Sequence, residues 1–192
     1  MHLDNWGLKA KKLGYRSRAV FKLEEIIDKT KALRGCKNVL DIGSTPGGWS
    51  QLVKHKLNQV NIHALDILDM EPIDGVNFHK IRVEDIDSVH EIFELKGLFN
   101  LVISDLAPNL SGNKAVDQPA MIYLAELGVD LANRVLSKNG VFIAKLFQGQ
   151  GFDPFVQQVR TLFNGVSIIK PDASRSRSRE VYLVAKGLKA KT

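Results

Sequence analysis

The chain has 192 residues, 44% of them hydrophobic and 25% charged, which suits a single domain spanning 1–192 and excludes wholesale disorder. One cysteine, Cys36, leaves no internal disulfide and no Cys-rich metal site. No apolar run reaches the roughly 18 residues of a membrane span, and Met1-His2-Leu3-Asp4-Asn5 lacks the blocks of a signal peptide, so the expectation is a soluble, cytoplasmic protein with no membrane partner.

The net charge of +6 is unevenly placed. Residues 1–37 carry ten Lys/Arg against four Asp/Glu, and residues 170–192 carry seven against two, around an acidic middle. Two basic ends predict a polyanionic partner, because cationic clusters release counterions from phosphates. In the first end, a basic N-terminal arm and helix over 1–37, Lys9, Lys11, Lys12, Arg16, Arg18 and Lys22 interleave with Leu8, Leu13, Tyr15, Val20 and Phe21. That mixture can pack one side and present cations on the other. Trp6 and Tyr15 are candidates to stack on bases or to pack the arm.

Val39–Ile42 reads as a short buried strand that stops at Gly43. The turn Gly43-Ser44-Thr45-Pro46-Gly47-Gly48-Trp49 follows, and residues 48–57 read as a helix. Residues 60–65 form a second strand ending at Asp66, 76–81 a weaker third, 86–95 a helix, and 98–103 a fourth strand closed by Ser104-Asp105. The clearest helix is 118–136, stopped by Asn139-Gly140. A fifth strand, 140–146, carries Lys145. A helix at 152–163 precedes two last strands, 166–169 and 181–185, expected as an antiparallel pair joined by the loop that holds Arg175, Arg177 and Arg179. Residues 187–192 read as a frayed tail. The five histidines show no metal spacing, and His63 and His79 read as core or edge residues.

Strands alternating with helices imply right-handed crossovers and a mainly parallel sheet covered on both faces. In such sheets ligands bind beyond the carboxyl ends of the strands, and those ends carry Gly43, Asp66, Asp105 and Lys145. The glycine turn lets backbone approach a ligand at a helix N-terminus. Its spacing fits neither G-x-G-x-x-G nor the phosphate loop G-x-x-x-x-G-K-[ST], which disfavours a dinucleotide oxidoreductase and an ATP site. A nucleoside lacking pyrophosphate suits it, with Asp66 placed to accept both ribose hydroxyls.

The stretch Asp41-Ile42-Gly43-Ser44-Thr45-Pro46-Gly47-Gly48-Trp49-Ser50-Gln51 resembles the first motif of the FtsJ/RrmJ ribose 2′-O-methyltransferases, which use S-adenosylmethionine. Tyr15–Leu23, Ser104–Gly112, Lys145–Gly149 and Lys170–Tyr182 resemble further motifs in the same order, together spanning about residues 6–186. The resemblance implies a Rossmann-like methyltransferase fold with a seven-stranded sheet, an antiparallel edge strand and helices on both faces. It implies a catalytic tetrad of Lys22, Asp105, Lys145 and Glu180. It assigns the cofactor to Gly43, Pro46, Gly47, Gly48, Trp49, Asp66 and Asp105, while the charge pattern of the two ends makes Lys9, Lys11, Lys12, Arg16, Arg18, Arg175, Arg177 and Arg179 the candidate RNA contacts. From the single cysteine and the histidine spacing, no metal is expected. Where the family has Gly-Asp after the third strand, this chain has Ile81-Arg82, leaving Glu84, Asp85 or the Val83 backbone for the adenine amine.

The tetrad residues suit the chemistry. A sulfonium leaves as a neutral thioether, so the difficult partner is the weakly acidic ribose hydroxyl, which needs a general base. A lysine serves only when a neighbouring cation or partial burial favours its neutral amine. The resemblance implies a uridine of large-subunit ribosomal RNA on the assembled ribosomal subunit. A tRNA ribose methyltransferase and a non-catalytic RNA-binding or assembly module are the alternatives. An amino-methyltransferase is disfavoured because Asp105-Leu106-Ala107-Pro108 stands where those enzymes have Asn/Asp-Pro-Pro-aromatic. The basic arms need no partner subunit, so a monomer is expected.

Overall fold

The computed structural model describes residues 5–175 and 177–190. The expectations for the first four residues, Ser176 and the last two residues fall outside that range. The elements run α1 (Asn5–Lys12), α2 (Val20–Thr30), β1 (Asn38–Ile42), α3 (Gly48–Lys56), β2 (Asn61–Asp66), β3 (Val76–Lys80), a 3₁₀ turn (Val83–Ser88), α4 (His90–Glu94), β4 (Phe99–Ser104), α5 (Lys114–Val135), β5 (Leu136–Phe147), α6 (Phe152–Leu162), β6 (Phe163–Ile169) and β7 (Glu180–Leu188).

The seven strands form one sheet in the order β3-β2-β1-β4-β5-β7-β6. The first five are mutually parallel, while β7 runs antiparallel to both β5 and β6. The expected antiparallel pair therefore closes one edge, with β6 outermost. The strand order reverses between β1 and β4, the position where doubly wound sheets open a crevice.

Strand alternation sorts the side chains between two cores. Leu40, Ile42, Phe142, Ala144, Leu183 and Ala185 pack with α4, α5 and α6. Val39, Ile143, Tyr182 and Val184 pack on the other face with Val20, Leu23 and Ile26 of α2 and Leu52 of α3. Each fully buried Leu or Ile contributes about 1.5–3 kcal/mol. By the same two-residue period, Lys145 and Glu180 fall on the α2 face, where α2 carries Lys22. The β4–β5 register slips between Phe99 and Leu101. Phe99 consequently packs with the first core although Leu101 and Ile103 pack with the second.

Several expected elements differ. Residues 86–95 are not one helix. The Ser88 hydroxyl donates to the Asp85 carbonyl at 2.8 Å, and Val89 is extended, so short polar side chains compete with the helical ladder. Helix α5 begins at Lys114, four residues before the expected 118, because the Asn113 side chain accepts from the Ala115 N–H and caps it. The Asn139-Gly140 turn exists, but as an irregularity inside β5. The tail expected from residue 187 is partly strand: Leu188 pairs with Phe163 in the β6–β7 ladder, and Lys189 N–H donates to the Leu162 carbonyl at 2.9 Å. Ladder pairing and the partial burial of Leu188 outweigh the local charge.

Candidate active site at the carboxyl ends of the strands

The turn after β1 needs its glycines. Gly43 has φ +72°, and a Cβ there would lie 2.9 Å from Leu106 Cδ2. Gly47, at φ +106°, caps α3 and packs against Ile73 and Met70. The Gly43 and Ser44 N–H groups donate to the Leu65 carbonyl at 2.9 and 3.1 Å, and the Asp105 N–H to the Ile42 carbonyl at 3.0 Å. These bonds hold the ends of β1, β2 and β4 together around the turn.

A cleft of about 510 Å³ opens there. Gly43, Thr45 and Asp66 form one wall and Asp105–Asn109 another, while Leu68, Ile81, Val83, Leu124 and Leu127 give it an apolar slot. Asp66 stands at the end of β2 as expected. Its Oδ2 accepts from Thr45 N–H and its Oδ1 from Leu68 N–H, both at 2.9 Å. Glu84 also lines the cleft. Its carboxylate accepts from Arg82 at 2.9 Å and from the Tyr123 hydroxyl at 3.4 Å. Of the three candidates around the missing Gly-Asp, Glu84 and Val83 line the cleft and Asp85 does not.

Beneath the turn lies a cluster of under-satisfied acceptors. Asp41 is fully buried. Its Oδ2 accepts from the Ser50 hydroxyl at 2.6 Å, while its Oδ1, Ser44 Oγ and Asp105 Oδ1 have no well-aligned hydrogen bond. Burial pushes the Asp41 carboxyl up to about 7, with Asp105 and Asp66 adding to the rise and the Ser50 bond opposing it. Such a cluster suits a positively charged ligand group.

The four expected catalytic residues form two coupled ion pairs. Lys145 Nζ lies 2.8 Å from Asp105 Oδ1 and donates to the Asp105 carbonyl at 2.9 Å. Lys22 Nζ lies 2.5 Å from Glu180 Oε1, which also accepts from Ser174 Oγ at 3.1 Å and the Tyr182 hydroxyl at 3.3 Å. Burial raises the Asp105 carboxyl, and the charges of Lys145 and Lys22 oppose that rise without cancelling it. Burial alone would also raise Glu180, but the hydrogen bond and charge of Lys22, with Lys145 and Ser174 added, hold it below the usual carboxylate range. Ser174 and Tyr182 went unpredicted. They contact Glu180 from a loop and from the neighbouring face position of β7, and neither carries a signal local to the sequence.

The remaining expected residues divide. Pro46 lies in the turn and Gly48 opens α3. Trp49 is buried, donating its indole N–H to the Ala19 carbonyl at 3.1 Å, so only its backbone belongs to the turn. Trp6 and Tyr15 pack on Phe21, at ring-centroid distances of 5.1 and 6.3 Å, and Lys9 Nζ sits over the Trp6 and Phe21 rings. Lys11, Lys12, Arg175, Arg177 and Arg179 are exposed, and Arg18 is half-buried. Arg16 departs from the expectation that it faces RNA. Its guanidinium donates to the carbonyls of Pro46, Glu71 and Pro72 at 3.2, 2.5 and 2.8 Å. His63 is buried and stacks on His79, with their ring nitrogens 3.0 Å apart. Among the described residues no helix is long and apolar enough to cross a membrane, and no group of three or more His, Cys, Asp or Glu is arranged to hold a metal ion.

The family model described as FtsJ-like methyltransferase matches residues 15–188. The chain is 48% identical over 192 aligned positions to the ribosomal RNA large subunit methyltransferase E of Hahella chejuensis (strain KCTC 2396), covering 98% of this chain and 93% of that one. The fold is similar to the crystal structure of a Plasmodium falciparum protein described as a ribosomal RNA methyltransferase. That match has a TM-score of 0.81 and 27% identity, and covers 92% of this chain and 100% of that one.

Proposed function

The chain belongs to the FtsJ-like methyltransferase family, and from that premise we propose that it moves the methyl group of S-adenosylmethionine onto a ribose 2′-hydroxyl of large-subunit ribosomal RNA, at a uridine on the assembled subunit. It is a methyltransferase, and its cleft fits this donor. S-adenosylmethionine supplies a methyl group on a cationic sulfonium that leaves as a neutral thioether. The apolar slot of Leu68, Ile81, Val83, Leu124 and Leu127 takes a flat base, with Glu84 at its mouth for the exocyclic amine. Asp66 takes the ribose hydroxyls through the acceptor capacity left on its two oxygens. The under-satisfied acceptors of Asp41, Ser44 and Asp105 suit the cationic end of the ligand.

Lys145 holds the target hydroxyl and takes its proton, a contribution of about 10²–10⁴-fold. Asp105 fixes the lysine from both its carboxylate and its carbonyl. Lys22 and Glu180 position the ribose beside that pair, and holding the reactants in line supplies several kcal/mol more. Lys9, Lys11, Lys12 and Arg18 on the arm and Arg175, Arg177 and Arg179 on the β6–β7 loop hold the RNA phosphates.

The single observation that carries the reading is the Lys145–Asp105 pair, whose Asp105 lines the donor cleft, flanked by Lys22–Glu180 on the same face of the sheet. A pure RNA-binding module has no use for it. Incubation with methyl-labelled S-adenosylmethionine and large ribosomal subunits, followed by nuclease digestion, tests the proposal. Label retained on a ribose is the expected result. Label on a base, or none despite RNA binding, rejects it.

A further inference from the structure

The arm and the donor cleft meet at one side chain. The loop between α1 and α2 is fastened onto α3: Arg16 N–H donates to Gln51 Oε1 at 2.9 Å, and the Tyr15 hydroxyl lies 3.1 Å from His55 Nδ1. From there the Arg16 guanidinium reaches two other segments. One nitrogen serves the Pro46 carbonyl in the glycine turn and the Glu71 carbonyl in the segment after β2, and another serves Pro72. These segments are continuous with Thr45 and with Asp66, Ile67 and Leu68, which line the cleft. Three carbonyl dipoles converge on one point, an arrangement that repels itself unless a cation with several fixed donors sits between them. Arginine's planar fork meets that need, and the three donors of a lysine on a single atom do not.

We infer that Arg16 is a positioning residue for the methyl donor, holding the glycine turn and the segment after Asp66 at the spacing the donor requires, and that it is not a phosphate contact as its place in the basic arm suggests. The inference rests on the donor reading above. With the guanidinium committed to backbone, removing it loosens the wall that carries Thr45 and Asp66 while leaving the exposed cations of the arm and of the β6–β7 loop in place.

The test compares wild type with Arg16→Lys and Arg16→Ala. Calorimetry measures the dissociation constant for S-adenosylmethionine, steady-state rates give the donor KM and kcat, and a fluorescent RNA hairpin titrated at several salt concentrations gives the RNA salt slope. Losing hydrogen bonds from a charged donor weakens donor binding on the order of tenfold in both variants. The donor KM rises in parallel, and kcat at saturating donor stays within about threefold of wild type. The salt slope for RNA is unchanged. The charge-preserving lysine therefore fails to rescue donor binding. An Arg177→Ala control behaves oppositely, with unchanged donor affinity and a slope reduced by about 0.9. A slope reduction of about 0.9 in Arg16→Ala, or wild-type donor affinity in Arg16→Lys, overturns the inference. Failure of wild type itself to bind S-adenosylmethionine instead overturns the donor reading on which it stands.

Discussion

Two lysine–carboxylate pairs, Lys22–Glu180 and Lys145–Asp105, sit side by side in this protein and are held quite differently. One oxygen of Glu180 is saturated: Lys22, Ser174 and Tyr182 all donate to its Oε1, and the carboxylate stays below the usual range. At the ends of β1 and β4 the acceptors outnumber their donors. Asp105 is raised by burial beside Lys145, and Asp41 below it keeps an oxygen without a hydrogen bond. A closed network resists change, so Lys22–Glu180 is suited to fixing geometry. An open one has capacity left for a ligand and a proton, so the Lys145–Asp105 end is suited to chemistry. Much of the difference comes from the neighbours each pair inherits: Ser174 and Tyr182 beside Glu180, and the buried Asp41 beside Asp105.

The largest expected effect tests the open end. Lys145→Ala should lower kcat by about 10²–10⁴-fold while S-adenosylmethionine binding, read by calorimetry, stays near wild type. A loss under tenfold would erase the distinction between the two regions. The closed end should instead show its importance in stability. Lys22→Met leaves Glu180 buried without its cation and should cost on the order of 2–3 kcal/mol in urea unfolding, somewhat below the range for a fully buried pair. Lys145→Ala should cost clearly less, because Asp105 is the more exposed of the two carboxylates.

Asp41 offers a pH test of the open end. Its folded value, about 7, lies above its ordinary value, so the folded protein holds that proton more tightly than the unfolded chain does. The associated stability is fully present below the unfolded value and is lost as pH rises through the folded one. Wild type measured against Asp41→Asn should therefore lose relative stability from about pH 4 to pH 7, at up to about 1.4 kcal/mol per unit, and level off above pH 8. A flat difference across that window would mean that Asp41 is solvated or paired. The smallest effect on the two pairs should come from the RNA side. Arg175, Arg177 and Arg179 changed together to Ala should reduce the RNA salt slope by up to about 2.7, at about 0.9 per contact. Urea midpoint and donor affinity should not move.

The amino-acid sequence by itself determined the strands that end in Gly43, Asp66 and Asp105, the glycine turn, and the sheet class. Each of those depends on local rules: a period of two or 3.6, a positive φ, an apolar run. It also carried the four polar residues of the tetrad, through motifs in order along the chain. Tertiary structure alone decided what those residues touch. The register of β5 with β7 brings Lys145 and Glu180 to one face, the slip in the β4–β5 pairing accompanies the turning over of Phe99, Ser174 and Tyr182 fill Glu180 Oε1, and Arg16 joins carbonyls up to 56 positions away. Hydrogen-bond partners are chosen by proximity in the folded chain, and a charged side chain written in a basic stretch gives no local sign of whether phosphate or its own backbone will claim it.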